Sequence, residues 1–581
     1  GTVTNGGLRR PWPFFLKTRR PASLQIYDSS TMNLTDEQKA VSLAPLSGMT
    51  KVVAYAGTGK TSSLCALAQR NRGLRGLYLA FNKSAEMDAR QRFPRSVQCK
   101  TVNALAFGVT GRVFAHKLGS LRPIDAIKLM GLTWDWGFAS MVVDTITAWC
   151  VSDLEKFPDS AIAVGRAPSA PLHLIKYAAV VASKLWQRML DPNDEAPMTH
   201  DGYLKLFQLQ HPTLAFDYLM LDEAQDTNPV TWDIVKRQKC PIVIVGDGYQ
   251  SIYQFRGATN AMDGAQATRT LALTQSFRFG PKVARIANAL LWSFFGEGTP
   301  LEGVGFDTVV SRIPPDAPRH AVIARTNAEI FSEAARAVKE GKTLGFAGGV
   351  NSYGFEKIID AWRLSSGDTG SIRDVFLRSF KDFAALQDYA EKSRDLEVRR
   401  LIKIVETYRE QVVPLVDAIH AACHPSLADA DLALTTAHRC KGLTLLVVRL
   451  AEDFPELIDE NGDLLPPDKL DRQEVNLLYV AITRAQQRLA LNMTTLSFMR
   501  AMSMGDLAAN HAICDDIPTT TTDPSSESTP PVQTGDAVPT IPTNQAKPSL
   551  LAAARIAAGA EQAQAEHEQA RFSQIDMFDH I

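Results

Sequence analysis

Two short runs in this 581-residue chain carry the residue types of phosphoryl chemistry. In Ala54-Tyr55-Ala56-Gly57-Thr58-Gly59-Lys60-Thr61, glycines free backbone N–H groups to wrap phosphate oxygens. Lys60 can neutralise the β/γ oxygens, and the Thr61 hydroxyl can hold Mg²⁺. The general pattern has glycine at position 54, where this chain has Ala. The second run is Leu221-Asp222-Glu223-Ala224-Gln225-Asp226. Asp222 can bind Mg²⁺ through water, and Glu223 can orient and activate an attacking water. Phosphoryl transfer needs that division of labour: a metal, a positioned water, and cations for the developing charge. Read alone, the runs could be a glycine-rich turn and an acidic surface turn. Read together, they predict a site for ATP and Mg²⁺.

Such groups need strand ends to position them. Short β-rich apolar runs occur at 51–56, 77–81, 218–221, 241–245, 321–324 and 443–450, with helical patterns between them. That alternation predicts an α/β fold with parallel sheets and crossover helices. Ligands bind at the strand-end loops of such sheets, and the first run sits between a strand and a helix, whose N-terminal dipole favours an anion. Residues 112–205, with Trp134, Trp136, Trp149 and Trp186, and residues 355–430 read as mainly helical insertions. The Thr/Pro/Ser-rich stretch 515–548 is expected to be a disordered linker. Residues 549–570, rich in Ala, Glu and Gln, are expected to be helical.

Composition is that of a soluble globular protein, 45% hydrophobic and 22% charged, and no apolar run is long enough to span a membrane. The net charge of -1 says nothing about a local basic groove. Seven cysteines without a CxxC pair argue against a disulfide framework or a zinc module, and fit a reducing cytoplasm. Cys423-His424 reads as a helix end before Pro425 rather than half a metal site. Residues 1–31 hold Arg9, Arg10, Lys17, Arg19 and Arg20. They are expected to be a leader or an extension without packed structure.

Further runs extend the pattern. They are Leu34-Thr-Asp-Glu-Gln38, Leu79-Ala-Phe81-Asn82-Lys83, Thr101-Val-Asn103, Gly246-Asp247-Gly-Tyr-Gln250-Ser-Ile-Tyr253-Gln-Phe255-Arg256 and Gln275-Ser-Phe277-Arg278. Arg325-Thr-Asn327, Thr435-Thr436-Ala-His438-Arg-Cys-Lys441-Gly442 and Tyr479-Val-Ala-Ile-Thr483-Arg484 follow. In this order they resemble the motifs of UvrD/Rep-type superfamily 1A DNA helicases, and within them the F-box DNA helicase branch, with no F-box-like region in the sequence.

The resemblance implies two RecA-like parallel-sheet motor domains. The first would comprise residues 32–111 and 206–275, with insertion 112–205. The second would comprise 276–354 and 431–500, with insertion 355–430. It implies that Gln38 reads adenine, Gln250 senses the γ-phosphate, and Arg278 and Arg484 reach that phosphate, Arg484 as a cis arginine finger. Ala56, Gly57, Thr58, Gly59, Lys60, Thr61, Ser62 and Phe277 would surround the nucleotide. Relatives often carry Arg at the Ser62 position, Tyr at Phe277, His at Asn103 and Glu at Thr444.

For nucleic acid the resemblance points to Phe81, Asn82, Lys83, Thr101, Asn103, Tyr253, Phe255, Arg256, Arg325, Thr436, His438 and Lys441. Phe81 and Phe255 could stack on bases, which suits a sequence-indifferent motor, or could be core phenylalanines. Lys441 and Arg439 fit phosphate-backbone contacts. The implied activity is 3′→5′ ATP-driven unwinding of tailed or forked duplex DNA from a single strand, in repair, recombination or replication. A translocase that strips proteins, a helicase–nuclease, an RNA motor and a non-enzymatic binding module are the alternatives.

At the end of the sequence, Gln574-Ile575-Asp576-Met577-Phe578 resembles the pentapeptide that docks on bacterial sliding clamps. It is expected to fill an apolar pocket from the end of the flexible linker, and it carries the expectation of a bacterial cytoplasm.

Overall fold

The computed structural model describes residues 34–132, 136–160, 171–254, 257–311, 319–393 and 396–505. The first sheet is built from β1 (Met49–Ala54), β2 (Gly76–Ala80), β3 (Val97–Thr101), β4 (Tyr218–Leu221), β5 (Ile242–Gly246) and β6 (Arg269–Leu273). Its order is β3-β2-β4-β5-β1-β6, and every pair is parallel. β2, β4 and β5 are buried at every position, because both faces of a parallel sheet are covered. β6 lies at the edge and alternates in exposure. β1 and β5 run in register from Met49↔Ile242 to Val53↔Gly246. The loops after them therefore leave the same sheet edge side by side.

A short parallel ribbon follows, β7 (Gln275–Ser276) with β8 (Glu302–Gly303). The second sheet contains β9 (Val309–Ser311), β10 (His320–Ala324), β11 (Leu344–Phe346), β12 (Leu432–Thr436), β13 (Leu445–Leu450) and β14 (Ala485–Ala490). Its order is β11-β12-β10-β13-β14-β9, again wholly parallel. The α/β class with two parallel sheets is thus as expected.

Helices fill the long connections. Between β3 and β4, Trp136–Val151, Leu172–Leu190 and His200–Leu209 share one core with Leu77, Leu219 and Ile244 of the first sheet. Trp149 and Trp186 lie in that core. Lys205 is wholly buried there, its ammonium 3.9 Å from the Trp149 ring and donating to the carbonyls of Ser152 and Leu154. Between β11 and β12, the helices Phe355–Ser366, Leu396–Tyr408 and Val412–Ala421 pack with β10, β12 and the helix Asn327–Lys339.

A further core joins the two halves. Tyr55, Ala56 and Ile252 pack with residues of the helices Pro281–Phe295 and Arg472–Ile482. The loop after β1 is therefore seated against the second half of the chain. No described helix is long and apolar enough to cross a membrane. Cys423 Sγ donates to the Ile419 carbonyl at a helix end, as its plainer reading predicts.

Candidate ATP site and nucleic-acid interface

The loop 55–59 turns on two glycines in the left-handed region, Gly57 at φ +78° and Gly59 at φ +80°. A Cβ on Gly57 would meet Ser276 Oγ at 2.5 Å and Arg278 Cβ at 2.9 Å. One on Gly59 would meet Gln38 Nε2 at 2.7 Å. Side-chain-free backbone is thus required at both points. Thr58 is buried and its hydroxyl donates to the Tyr55 carbonyl (2.9 Å). Gln38 closes a capping box with Thr35 and donates from Nε2 to the Thr58 carbonyl (3.1 Å). Ala56 N–H donates to the Tyr479 hydroxyl across the two halves (3.4 Å). The helix Lys60–Arg70 starts directly behind the loop, aiming its N-terminus at the same space.

Asp222 and Glu223 follow β4. The Thr61 hydroxyl donates to Asp222 Oδ2 (3.0 Å), and the buried Tyr78 hydroxyl donates to the same oxygen. A hydroxyl and a carboxylate converge here, both hard oxygen donors that fit Mg²⁺. Burial and the neighbouring Glu223 charge push the Asp222 carboxyl up. Burial also pushes Glu223 up, but Lys60, Lys441, the Gln225 amide and Arg484 outweigh it and hold its carboxyl well below the usual range. The ionised form of Glu223 is therefore favoured. Its φ of +51° is rare for a side chain with a Cβ.

The opposite wall comes from the second half. Arg484 is wholly buried and donates from Nη2 to Gln250 Oε1 (3.1 Å) and from Nε to the Val480 carbonyl (2.9 Å). Gln250 donates to Asp247 Oδ2 (2.7 Å), which also accepts from the Tyr479 hydroxyl (3.1 Å). Arg278 donates to Thr444 Oγ1 (3.1 Å) and to the Thr483 carbonyl (3.0 Å). Burial and the nearby Arg484 charge push Arg278 down to about 9. Together these walls enclose a cleft of about 400 Å³, lined by Gly57 to Ser62, Glu223, Gln250, Phe277, Arg278 and Arg484. Of the sequence-predicted nucleotide residues, Gly57 to Ser62 and Phe277 line this cleft, whereas Gln38 and Ala56 are not among its lining residues. Phe277 presents a partly exposed ring to this cleft.

The sequence did not point to Arg92 or Tyr78, and it gave Asp247 and Tyr479 no role beyond their place in motif runs. Arg92 lines the cleft and donates from Nη2 to Ser62 Oγ (2.7 Å). It puts a cation beside the position where relatives often carry Arg. Its signal was weak, because it ends a charged helix that reads as solvated.

Residues 206–263 match the UvrD/REP helicase N-terminal domain, and residues 322–495 match the UvrD-like helicase C-terminal domain. F-box DNA helicase 1 of Gallus gallus is 31% identical over 536 residues, 84% of this chain and 52% of that protein. F-box DNA helicase protein 1 of Schizosaccharomyces pombe is 31% identical over 526 residues, 82% of this chain and 60% of that protein. ATP-dependent DNA helicase PcrA of Leuconostoc citreum is 28% identical over 222 residues, 32% of this chain and 29% of that protein. The chain belongs to the UvrD-like helicase family. It spans between half and three fifths of the length of the two F-box relatives. Those long matches are eukaryotic and do not support the expected bacterial setting.

In this UvrD-like chain the residues expected on nucleic acid fall into three groups. Phe81 and Tyr253 form one: their rings stack at 5.4 Å with 20° between planes, and Phe81 is 39% exposed. The Tyr253 hydroxyl donates to the His438 carbonyl (3.2 Å), and the two rings lie 6.4 Å apart. A second group holds backbone. Asn82 caps the helix Lys83–Arg92 and Thr101 caps Val102–Ala106, while Thr436 starts the turn 437–440. Lys83 pairs with Glu86, and Asn103 is half-buried on the helix Val102–Ala106. A third group is held by carboxylates. Arg325 makes a two-pronged pair with Glu474 (2.5 and 2.6 Å), and Lys441 pairs with buried Asp226. Phe255, Arg256 and the tail residues Gln574, Ile575, Asp576, Met577 and Phe578 lie outside the described residues.

Proposed function

We propose that this chain is an ATP-dependent DNA helicase that moves along single-stranded DNA, with 3′→5′ as the direction implied by its family. The observation that carries the reading is the two-walled cleft. Lys60, Thr61, Asp222 and Glu223 come from the first sheet's loops, and Arg278 and Arg484 from the second half. The proposed division is 32–111 with 206–275 for one motor domain and 276–354 with 431–500 for the other.

Lys60 and the loop 55–59 would bind the phosphates, and Gln38 and Phe277 the adenine. Thr61 and Asp222 would hold Mg²⁺, which shields phosphate charge during transfer. Glu223 would align the attacking water. Arg278 and Arg484 would neutralise charge on the γ-phosphate from the other wall. Grip across the cleft then depends on that phosphate, so hydrolysis loosens it. The stacked Phe81–Tyr253 pair would offer an aromatic platform to bases, and such platforms tolerate any sequence.

The test is strand displacement on duplexes with 3′ or 5′ single-stranded tails, with Lys60→Ala as control. ATP-dependent displacement from the 3′ tail is expected. Displacement from the 5′ tail alone would reverse the polarity, and none from either would remove the helicase reading. The terminal pentapeptide is a separate proposal from sequence, checked by fluorescence polarisation of residues 570–581 against a bacterial sliding clamp. No binding at concentrations on the order of tens of micromolar, weak even for a transient contact, would end it.

A further inference from the structure

The helix Pro281–Phe295 ends in a turn that reaches toward the ATP cleft without lining it. Gly296 closes the helix at φ +65°, and the Glu297 N–H donates back to the Leu291 carbonyl (3.2 Å). That cap fixes where the Glu297 side chain starts. The carboxylate then uses both of its oxygens. Oε1 accepts from the Thr299 N–H (2.8 Å), and Oε2 accepts from the Tyr249 hydroxyl (2.5 Å). The Thr299 carbonyl in turn accepts from the Tyr55 hydroxyl (2.7 Å). One turn of the second half thus holds two tyrosines of the first.

Those tyrosines sit on the loops that leave the first sheet side by side. Tyr55 follows β1 and stands two residues before Gly57, and Tyr249 follows β5 and stands directly before Gln250. Their rings stack 6.2 Å apart with 27° between planes. The Tyr249 ring also packs on Phe295, the last residue of the helix, at 5.1 Å, and meets Tyr479 edge-on at 6.3 Å. Glu297, Thr299, Tyr55 and Tyr249 are not among the residues that line the cleft, whereas Gln250 lines it and accepts from Arg484. Whatever the turn does for a reaction in the cleft therefore passes through the loops it holds. A hydroxyl donating to a carboxylate makes one of the stronger hydrogen bonds in proteins.

We infer that Glu297 is a positioning residue for ATP hydrolysis, holding the loops after β1 and β5 in one relative arrangement through Tyr249 and, with Thr299, through Tyr55. The inference rests on the helicase reading. Under that reading Lys60 and its loop bind the phosphates unaided, while Gln250 must meet the γ-phosphate from a separate loop. Releasing Tyr249 frees the loop that carries Gln250. A misplacement of about 1 Å at such a group can cost on the order of a hundredfold in rate. Binding of ATP before hydrolysis keeps its phosphate contacts.

The test separates ATP affinity from turnover in the full chain. Titration with a fluorescent ATP analogue gives Kd, and steady-state hydrolysis at saturating oligo-dT gives kcat. Tyr249→Phe should lower kcat about tenfold, as for one lost hydrogen bond to a charged group, with Kd unchanged within about twofold. Glu297→Ala should match it, and Glu297→Gln, which keeps an acceptor oxygen, should recover part of the rate. Tyr249→Phe combined with Glu297→Ala should be no slower than Glu297→Ala alone, because the same bond is lost only once. If Glu297→Ala melts early, Tyr249→Phe and Glu297→Gln, singly and combined, carry the test. Normal kcat in Tyr249→Phe would overturn the inference, with or without earlier melting, since a merely structural tie leaves turnover intact below the melting range. Losses that multiply in the combined variant would mark independent sites and overturn it. A weakened Kd with unchanged kcat would assign the turn to nucleotide binding and overturn it too. If the unaltered chain hydrolyses no ATP with oligo-dT present, the helicase reading falls and the positioning role falls with it.

Discussion

Glu223 and Lys60 border the same cleft but remove different things when replaced. Glu223→Gln keeps the shape and the proposed phosphate cradle while deleting the carboxylate proposed to align water. DNA-stimulated turnover should fall at least a hundredfold, on the order of a lost general base, with binding of a fluorescent ATP analogue retained. Lys60→Ala should lose both. Undiminished turnover in either variant would dismiss the site. The residues near in sequence to the glycine loop and the acidic run were legible, because their chemistry demands fixed spacing. The pairings were not. Lys441 and Asp226 are 215 positions apart, and Arg92 reaches Ser62 from 30 positions away. Lysine next to a nucleic-acid motif reads as a phosphate contact until a buried carboxylate is seen beneath it.

The strand–loop–helix unit around Gly57 tolerates little. Gly57→Ala would force a Cβ onto Ser276 and Arg278 at a positive φ, a strain of roughly 1–3 kcal/mol. Nucleotide binding should weaken at least tenfold, measured by titration calorimetry, and thermal melting should begin earlier. The helical insertion after β3 carries a different signature. Burial pushes Lys205 down to about 8, against about 10.4 for a lysine in an unfolded chain. Between those values the unfolded chain binds more protons, so stability rises with pH. The stability of the wild-type chain minus that of Lys205→Met should rise by about 1–3 kcal/mol from pH 8 to 10.5. A constant gap across denaturant titrations at those pH values would refute the buried charge. Each of the six expected runs overlaps a strand, but residues 55–56, 81, 241 and 443–444 lie beyond the strand ends; both-face burial writes β2, β4 and β5 as apolar stretches. β6 and β14 escaped notice, since Arg-Thr-Leu-Ala-Leu and Ala-Gln-Gln-Arg-Leu-Ala carry polar residues. Only pairing with neighbouring strands makes those runs extended.

Under the proposed helicase reading the two halves do different work on one nucleotide, and activity on DNA should separate from basal hydrolysis. Phe255→Ala should slow unwinding more than hydrolysis without DNA, through loss of one base stack worth about 1–3 kcal/mol. Equal loss of both, measured side by side, would point to folding. The charges around the cleft carry a further consequence. Lys60, Arg92, Arg278 and Arg484 line it, and Glu223 is its one lining carboxylate among the described residues. Burial lowers both Arg278 and Arg484, and Arg278 is lowered further by Arg484. Like charges so crowded repel, and any compact polyanion can act as mortar between the halves without a sugar or a base. Tripolyphosphate should therefore raise the melting temperature beyond chloride at equal ionic strength. Mass action sets the scale, about 2.7 kcal/mol when the anion stands at a hundred times its Kd. Arg484→Gln should shrink that gain, so that adhesion between the halves becomes a property that simple salts of high charge can titrate.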